Sequence, residues 1–460
     1  MSTPSTYRSA ALAVMGAVCL LGTGCTDRAP ESSPNVLLVT LDTVRADYIG
    51  AYGFEAETTP FIDALAERSV VFERAIAASA RTAPSHASML TSRWVRDHSI
   101  GQVNGTTRLL DEPTLAEQFA AAGYDTAAFV SNPILTRRIG LDRGFDVYDD
   151  ELSVSARSGV LERDADATSE RAEAWLGAER DKPWFAWVHF QDPHGPYTAP
   201  PPFERVELPA EPDEVPLPPL STASGYKGIP DYQLLEGVHL PSEYRSRYAG
   251  EIRYADAAVG RIVAAAEKSS PRRPLVLLLT ADHGESLGEH EHWFAHGFTT
   301  TPDQAHVPFV LMAPGLKPQR RSELVHHVDI LPTLLRAAGL PVPETAQGVA
   351  LGPLLSDASE AWPDRIVFTD IGTEVGAYHQ DRIVRVFLFF GIGRKDPSSW
   401  EHWRWESDGS ITRTEEDMAL RAPVAEYIAR HAPLNETVKI DPEQAKRLRA
   451  IGYLDPESGR

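Results

Sequence analysis

The chain contains 460 residues, of which 42% are apolar and 24% are charged, and its formal net charge is −21. Such a composition is typical of a globular protein that buries a large core. The negative charge and the lack of any basic run argue against a nucleic-acid-binding function, because nucleic-acid phosphates would be repelled.

The beginning of the chain has the composition of an export signal. One basic residue, Arg8, precedes an apolar run over 10–21 that is too short to span a bilayer. The run leads into Gly-Thr-Gly-Cys, which resembles a bacterial lipoprotein signal, although Gly22 stands where that pattern usually has leucine. We therefore predict a lipoprotein-type signal peptide over 1–25 and a linker over 26–34.

The cysteine count agrees with this interpretation. Cys19 and Cys25 are the two cysteines of the chain, so the mature domain would have no internal disulfide. We expect Cys25 to be lipidated and to hold the protein on a membrane of the bacterial cell envelope, on the periplasmic side. A secreted protein without lipid and an uncleaved anchor are the alternatives.

From Asn35 onward, apolar runs alternate with amphipathic stretches. This alternation predicts an α/β fold with a doubly wound, mostly parallel sheet flanked by helices. The expected strands are 35–41, about 70–76, about 125–130, 184–190, 274–280 and about 307–312. The expected helices are about 60–68, the stretch after Arg81, about 114–123, 243–268 and 330–338.

Two regions depart from this alternation. Residues 200–241 are rich in proline, which excludes helices and central strands, so we predict a surface insertion in a catalytic domain of 35–355. The insertion either walls the site or is a passive loop. Residues 356–460 are predicted to form a smaller C-terminal antiparallel sheet, with strands near 366–369 and 383–389 and a final helix over 442–451. Its tryptophans are expected to pack in the core: Trp400, Trp403 and Trp405.

Polar residues follow two of the predicted strands. Asp42 follows the first, and Asp282 and His283 follow the strand 274–280. Open α/β sheets bind ligands at the carboxyl ends of their parallel strands. Thr82 precedes Pro84, which suits the first helical position, so Thr82 is expected just before a helix N-terminus, where a plain capping role is the alternative. We predict one metal site built from four residues: Asp42, Thr82, Asp282 and His283.

Ordered motifs between residue 35 and about 355 resemble the sulfatase family, within the alkaline-phosphatase-like metal-dependent ester hydrolases. The segments that carry the resemblance are VTLDTVRADYIGAYG (39–53), TAPSHASMLTS (82–92), GLDRGFDVYDD (140–150), HFQDPHGPY (189–197), EIRYADAAVGRIV (251–263), TADHGESLGEH (280–290) and HHVDILPTLLRAAGLPVP (326–343). The resemblance implies the fold predicted above and an ester hydrolase activity.

The nucleophile motif departs from the family. Where sulfatases have Cys or Ser followed by x-Pro-Ser-Arg, this chain has Thr82, and His86 occupies the arginine position. Cysteine or serine can be oxidised to formylglycine, whereas oxidising threonine would give a ketone. No formylglycine is therefore expected, and Thr82 itself is predicted to attack the ester.

The implied metal ligands also depart from the family. The usual first motif has paired aspartates, but Thr43 follows Asp42 here, and many sulfatases have Asp-Asn where this chain has Asp282 and His283. Calcium prefers oxygen ligands, whereas an imidazole suits zinc, manganese or iron. We expect one divalent ion, with zinc, manganese or a similar metal favoured and calcium as the alternative. A two-metal variant would need a second ligand set, drawn from Asp192, His194 and His296.

The resemblance implies further site residues. His86, His194 and His296 are predicted to be catalytic, and Asn104, His194 and His296 to bind substrate. His98, His290 and His292 are weaker candidates, because a lone histidine is more often an ordinary packed or surface residue. The family's Lys and His are absent near 130–133, so a sulfate pocket of the usual kind is incomplete.

These observations predict a lipid-anchored, metal-dependent hydrolase of a small-molecule, glycan or lipid ester, with phosphate or phosphonate esters preferred. The alternatives are a true sulfuric ester hydrolase, a phosphotransferase, or a non-catalytic surface lipoprotein that retains the fold.

Overall fold

The computed structural model describes residues 33–98, 100, 107–109, 111–209, 213–355, 362–388, 399–406, 410–415, 418–430 and 446. The predicted signal peptide with Cys25, most of the linker and Asn104 lie outside these residues. So does the predicted helix 442–451, apart from Lys446. In the described part of the chain, no helix is both long enough and apolar enough to cross a bilayer.

The strands of the described residues belong to one large sheet, one smaller sheet and two short hairpins. The large sheet contains β1 (Asn35–Leu41), β2 (Val70–Ile76), β3 (Asp125–Val130), β4 (Val147–Asp149), β7 (Trp184–Phe190), β8 (Leu275–Ala281), β11 (His306–Val307), β12 (Phe309–Met312) and β13 (Gln319–His326). The hairpins are β5 (Ser153–Val154) with β6 (Leu161–Glu162), and β9 (Ser286–Leu287) with β10 (Trp293–Ala295). The smaller sheet contains β14 (Val367–Asp370), β15 (Glu374–His379), β16 (Arg382–Phe387), β17 (Trp400–Trp405) and β18 (Ile411–Arg413).

The large sheet has the strand order β11-β2-β12-β8-β1-β7-β3-β4, and β13 also pairs with β2, in parallel. β1 runs parallel to both β7 and β8, and β3 runs parallel to β7 and β4. The five strands β14 to β18 form an antiparallel meander. The predicted fold class is therefore confirmed: a mostly parallel α/β sheet with a smaller C-terminal antiparallel sheet.

Most helices of the described residues form two groups beside the large sheet, whereas the last helix contacts β15 of the smaller sheet. Their bounds are α1 (Pro60–Ala66), α2 (Thr82–Thr91), α3 (Leu115–Ala121), α4 (Ala165–Leu176), α5 (Pro241–Ser269), α6 (Pro302–Ala305), α7 (Ile330–Ala337), α8 (Gly352–Leu355) and α9 (Met418–Ala429). α5 packs on α1 and α4, whereas α7 packs on α2 and α3. Strands covered in this way are apolar on both faces, and every residue of β1 and β7 is buried.

Some elements differ from the sequence prediction. The expected strand at about 307–312 is interrupted at Pro308, because proline cannot donate a ladder hydrogen bond. Its two parts run antiparallel to β2, and β12 also runs antiparallel to β8. The helix after Arg81 begins at Thr82 itself, with Pro84 as its third residue and Arg81 as its N-cap. Thr82 is thus the first residue of α2 rather than the residue before it, and its prediction as the preceding residue was wrong.

The smaller sheet holds the loop that leads from β2 into α2. The hydroxyl of Thr369 donates to the carbonyl of Ala77 (2.6 Å), and the backbone N–H of Asp370 donates to the carbonyl of Ala78 (2.9 Å). Arg96, just beyond α2, pairs with the buried Asp370 carboxylate at 2.7 Å. The smaller sheet therefore braces both ends of α2.

The proline-rich segment is more buried than the predicted surface insertion. Tyr232 and Gln233 are buried, and both donate to the carbonyl of Phe294, at 3.0 and 3.1 Å. The ring of Tyr232 lies 5.9 Å from that of His194. Between residues 213 and 240, this segment therefore reaches the predicted site.

Candidate active site

Three buried potential ligands meet at the carboxyl edge of the large sheet. Asp42 directly follows β1, Asp282 and His283 directly follow β8, and their ligand atoms all lie within 4.8 Å of one another. His283 Nε2 lies 3.6 Å from Asp282 Oδ2 and 3.9 Å from Asp42 Oδ1. Since β1 and β8 are parallel and in register, the fold itself brings these side chains together.

The hydrogen bonds of these residues leave the facing carboxylate oxygens unpaired. His283 Nδ1 lies 3.0 Å from the carbonyl of Gly284, which only accepts, so Nδ1 carries the proton and the Nε2 lone pair faces the carboxylates. Asp42 Oδ1 and Asp282 Oδ2 are buried and have no hydrogen-bond partner among the described residues. Unpaired buried oxygens facing an imidazole lone pair fit a divalent metal ion.

The electrostatics favour a cation at the same point. Burial raises the pKa of Asp42 well above its usual range, and it does the same for Asp282, whose pKa the Asp42 charge raises further. Burial lowers the pKa of His283 well below its usual value, so this imidazole is neutral and able to bind metal. A bound cation would offset the repulsion between the two carboxylates.

Thr82 lies beside this group at the first position of α2. Its Oγ1 is 3.4 Å from His283 Nε2, and the residue is fully buried. The backbone N–H groups of the first helical turn have no partners within the helix and favour an anion. The hydroxyl therefore lies where a metal-bound nucleophile would face an anionic ester.

The turns after both strands are shaped by backbone contacts. Thr43, at φ 58°, gives its N–H to Asp282 Oδ1 at 3.1 Å and accepts from the Tyr248 hydroxyl at 2.6 Å. A Cβ added to Gly284 would lie 2.2 Å from the carbonyl of Asp303, which explains the glycine after His283. The backbone of Thr43 thus helps to position the Asp282 carboxylate.

One hydroxyl connects three rings beneath the site. Thr40 Oγ1 accepts from the indole N–H of Trp187 (2.9 Å) and lies 3.1 Å from His86 Nε2 and 3.0 Å from His189 Nδ1. His86 Nδ1 faces the carbonyl of Thr82 at 2.9 Å. His86 is therefore tied both to the nucleophile residue and to Thr40.

Two further imidazoles border His283. The rings of His194 and His296 lie 4.9 Å apart, and the His296 ring is 4.6 Å from that of His283. His296 Nδ1 lies 3.3 Å from a carboxylate oxygen of the buried Glu285. Burial lowers the pKa of His194 and of His296 to about 3. Neutral imidazoles thus form one wall of the site.

A comparison with known families decides the classification. The family model described as Sulfatase matches residues 34–340. The chain belongs to the sulfatase family. Its members include ester hydrolases, and the assignment confirms the resemblance found in the sequence.

Individual relatives in the sulfatase family cover most of the chain. A Delta 4,5-hexuronate-2-O-sulfatase of Bacteroides thetaiotaomicron is 28% identical over 71% of this chain and 72% of its own. An arylsulfatase of Clostridium perfringens is 25% identical over 72% of this chain and 80% of its own. Among solved structures, a phosphonate monoester hydrolase from Silicibacter pomeroyi shares the fold, with a TM-score of 0.65 and 21% identity over 89% of this chain and 98% of its own.

Several predicted residues of this sulfatase-family chain lie elsewhere. His98 bonds to Ser88, His290 lies against Trp403, and His292 bonds to the carbonyl of Ser224. Asp192 lies 4.0 Å from Arg157, and burial with the Glu162 charge raises its pKa to about 8. In the described part of the chain, Asp192 forms no metal group with His194 and His296.

Two residues near Asp42 were not identified from the sequence. Asn132, after β3, donates to Asp42 Oδ2 at 2.6 Å, within the stretch where the family's Lys and His are absent. His189 Nε2 lies 3.5 Å from the same oxygen. Both follow from parallel pairing, because β3, β7 and β1 end at one edge, and polar residues at the ends of all three runs were the available signal.

Proposed function

We propose that this chain is an exported, metal-dependent hydrolase that uses unmodified Thr82 as its nucleophile and prefers phosphate or phosphonate esters to sulfate esters. The observation that carries the proposal is the Thr82 hydroxyl, 3.4 Å from His283 Nε2 beside two buried carboxylates. A sulfuric ester hydrolase is the second candidate, because the curated relatives named above are sulfatases.

The residues supply the parts of a two-step displacement. Asp42, Thr82, Asp282 and His283 would hold one divalent ion, and an imidazole ligand favours zinc or manganese over calcium. When bound, this ion would lower the pKa of the hydroxyl and polarise the ester.

In the first step, Thr82 Oγ1 loses its proton and bonds to phosphorus, the ester P–O bond breaks, and the departing oxygen takes up one proton, so that none is gained or lost overall. In the second step, water adds to phosphorus and the P–Oγ1 bond breaks, which returns the hydroxyl. His86 orients Thr82 through the carbonyl contact at 2.9 Å. His194 and His296 border the departing group, and Tyr232 closes the wall behind His194.

The ester preference follows from the nucleophile. A phosphorylated threonine is cleared by water attacking phosphorus, whereas a sulfated threonine lacks the route by which an aldehyde hydrate ejects sulfate. On matched aryl esters we expect kcat/KM to be at least about tenfold higher for the phosphate or phosphonate than for the sulfate. The Thr82→Ser variant should keep this order. A clear sulfate preference in the unmodified protein would instead support the second candidate.

The anchor is a separate part of the proposal. Export and lipidation at Cys25 are expected from the apolar run and the Gly-Thr-Gly-Cys sequence. We expect Cys25→Ser to move the protein from the membrane fraction to the soluble fraction, while Cys19→Ser leaves it in the membrane. An intact mass showing a mature chain that begins elsewhere than at an acylated residue 25 would refute the lipidation.

A further inference from the structure

The edge of the large sheet opposite the active site carries a group of basic side chains. β1, β7 and β8 begin there, around a depression of about 1040 Å³. Five basic and two acidic residues line it, and the adjoining Asp125 pairs with Arg180 at 3.8 Å and with Lys182 at 3.4 Å, so the group has a net charge of +2, whereas the whole chain carries −21. The basic residues are Arg180, Lys182, Lys268, Arg272 and Arg273. We refer to these five as the basic face.

The basic face is held rigidly but remains available to a partner. Asn35 ties its two loops together, because its side chain donates to Ser270 Oγ at 2.6 Å and accepts from the N–H of Trp184 at 3.0 Å. Lys268 and Arg272 are exposed, and neither forms an ion pair with any residue that the structure describes. Unpaired cations on a fixed surface attract anions.

The predicted linker to Cys25 joins the described part of the chain at the same face. Arg273 Nη1 donates to the carbonyl of Ser33 at 3.3 Å, so the first described residue lies among the basic side chains. Residues 26–32 separate it from Cys25. Eight Cα steps span at most about 28 Å, so a lipid on Cys25 would hold the bilayer surface within that distance of the basic face.

We propose that the basic face rests on anionic phospholipid headgroups of the bilayer that carries the anchor. The proposal builds on the exported, anchored state put forward above. Each lysine or arginine near an anionic surface adds to the attraction, and the rest of this acidic chain is repelled from it. The charge distribution therefore sets the orientation, and the lipid supplies the attachment.

This orientation has a consequence for the substrate. The seven residues of β1 separate the basic face from Asp42, which is about 23 Å at the rise of a strand. The site then lies at the edge of the sheet that is farther from the bilayer. The substrate class is a soluble or polymer-borne ester rather than a lipid of the same leaflet.

The test uses the full-length lipidated protein on vesicles of neutral phosphatidylcholine, with or without anionic phosphatidylglycerol. Once the signal peptide is removed and Cys25 is acylated, an introduced cysteine is the one free thiol. Ala178→Cys reports on the basic face, and Leu234→Cys reports on the segment beside His194; both residues are exposed. At low ionic strength, anionic lipid should slow labelling of residue 178 by an impermeant thiol reagent at least about fivefold, and leave residue 234 unchanged.

Charge reversal provides the matched control. Lys268→Glu with Arg272→Glu should abolish the protection of residue 178, whereas reversing two exposed arginines of the smaller sheet, Arg404 and Arg413, should preserve it. Equal labelling in both kinds of vesicle, or protection of residue 234 instead, overturns the proposal. Release of the protein from neutral vesicles would show that the lipid anchor is absent, independently of the basic face. In that case, cosedimentation with anionic vesicles but not with neutral ones supports binding by the basic face, and no cosedimentation with anionic vesicles overturns it. None of these readouts depends on hydrolase activity.

Discussion

Replacing Thr82 with alanine is expected to lower kcat by about three orders of magnitude or more. The substitution removes Oγ1, the hydroxyl oxygen that lies 3.4 Å from His283 Nε2. The change deletes one hydroxyl and one methyl group from a buried position, so the stability cost should be only about 1 kcal/mol. Activity should therefore be lost while the protein remains folded.

Thr91 offers a matched control in the same helix. It is also buried, and its hydroxyl donates to the carbonyl of Ala87 at 2.6 Å, far from the metal ligands. Thr91→Ala should cost similar stability but keep turnover, and Thr82→Ser should retain part of it. After quenching with a phosphate ester, the wild-type peptide containing Thr82 should gain the mass of a phosphoryl group. Near-normal turnover by Thr82→Ala would remove Thr82 from the nucleophile role.

The second large effect concerns Asp42 and Asp282. We expect Asp42→Asn and Asp282→Asn each to reduce bound metal from one ion per chain to nearly none, because each removes an anionic ligand from a small set. Elemental analysis after dialysis measures this. Asp166→Asn, which removes an exposed carboxylate on α4, should leave the metal content unchanged. Undiminished metal in both site variants would place the ligands elsewhere.

The same variants predict a pH dependence in the metal-free protein. Burial raises the pKa of both carboxyls in the folded state, so their contribution to folding is fully present at low pH and is lost as pH rises through the folded pKa. Asparagine carries no such charge. The melting temperature of Asp42→Asn should therefore increase relative to metal-free wild type as pH rises, and saturating metal should reverse the difference.

Sequence patterns predicted the central strands well because burial on both faces leaves a continuous apolar run. Residues 35–41 and 275–281 are such runs, and the polar residues after them lie where parallel pairing places them. The edge strand β13 escaped prediction, since Gln319–His326 contains several charged residues and only its last three residues are buried. The antiparallel direction of β12 depends on how the chain connects the strands, and a local apolar run contains no information about that connection.

The predicted metal group lies where each of its residues directly follows a central strand, and Thr82, His194 and His296, which were predicted on other grounds, lie around it. Its members at the strand ends are Asp42, Asp282 and His283. His189 and Asn132 were missed although they lie near the ends of β7 and β3, because their contacts with Asp42 also depend on the register of β7 with β1 and of β3 with β7. Glu285 also escaped, since its contact with His296 depends on the turn of the β9 and β10 hairpin.

The hydroxyl of Thr40 couples the tautomers of His86 and His189, whose rings lie 4.8 Å apart. Burial lowers the pKa of His86 well below its usual value, and its Nδ1 proton faces the carbonyl of Thr82, so its Nε2 must accept from Thr40. Thr40 has a single proton to give, and His189 Nδ1 must then donate to it, which leaves the Nε2 lone pair of His189 toward Asp42. A substitution of His86 would free the Thr40 hydroxyl proton to turn toward His189 Nδ1. His189 would then carry its own proton on Nε2, which faces Asp42. The surroundings of this metal ligand would therefore change although His86 does not contact it.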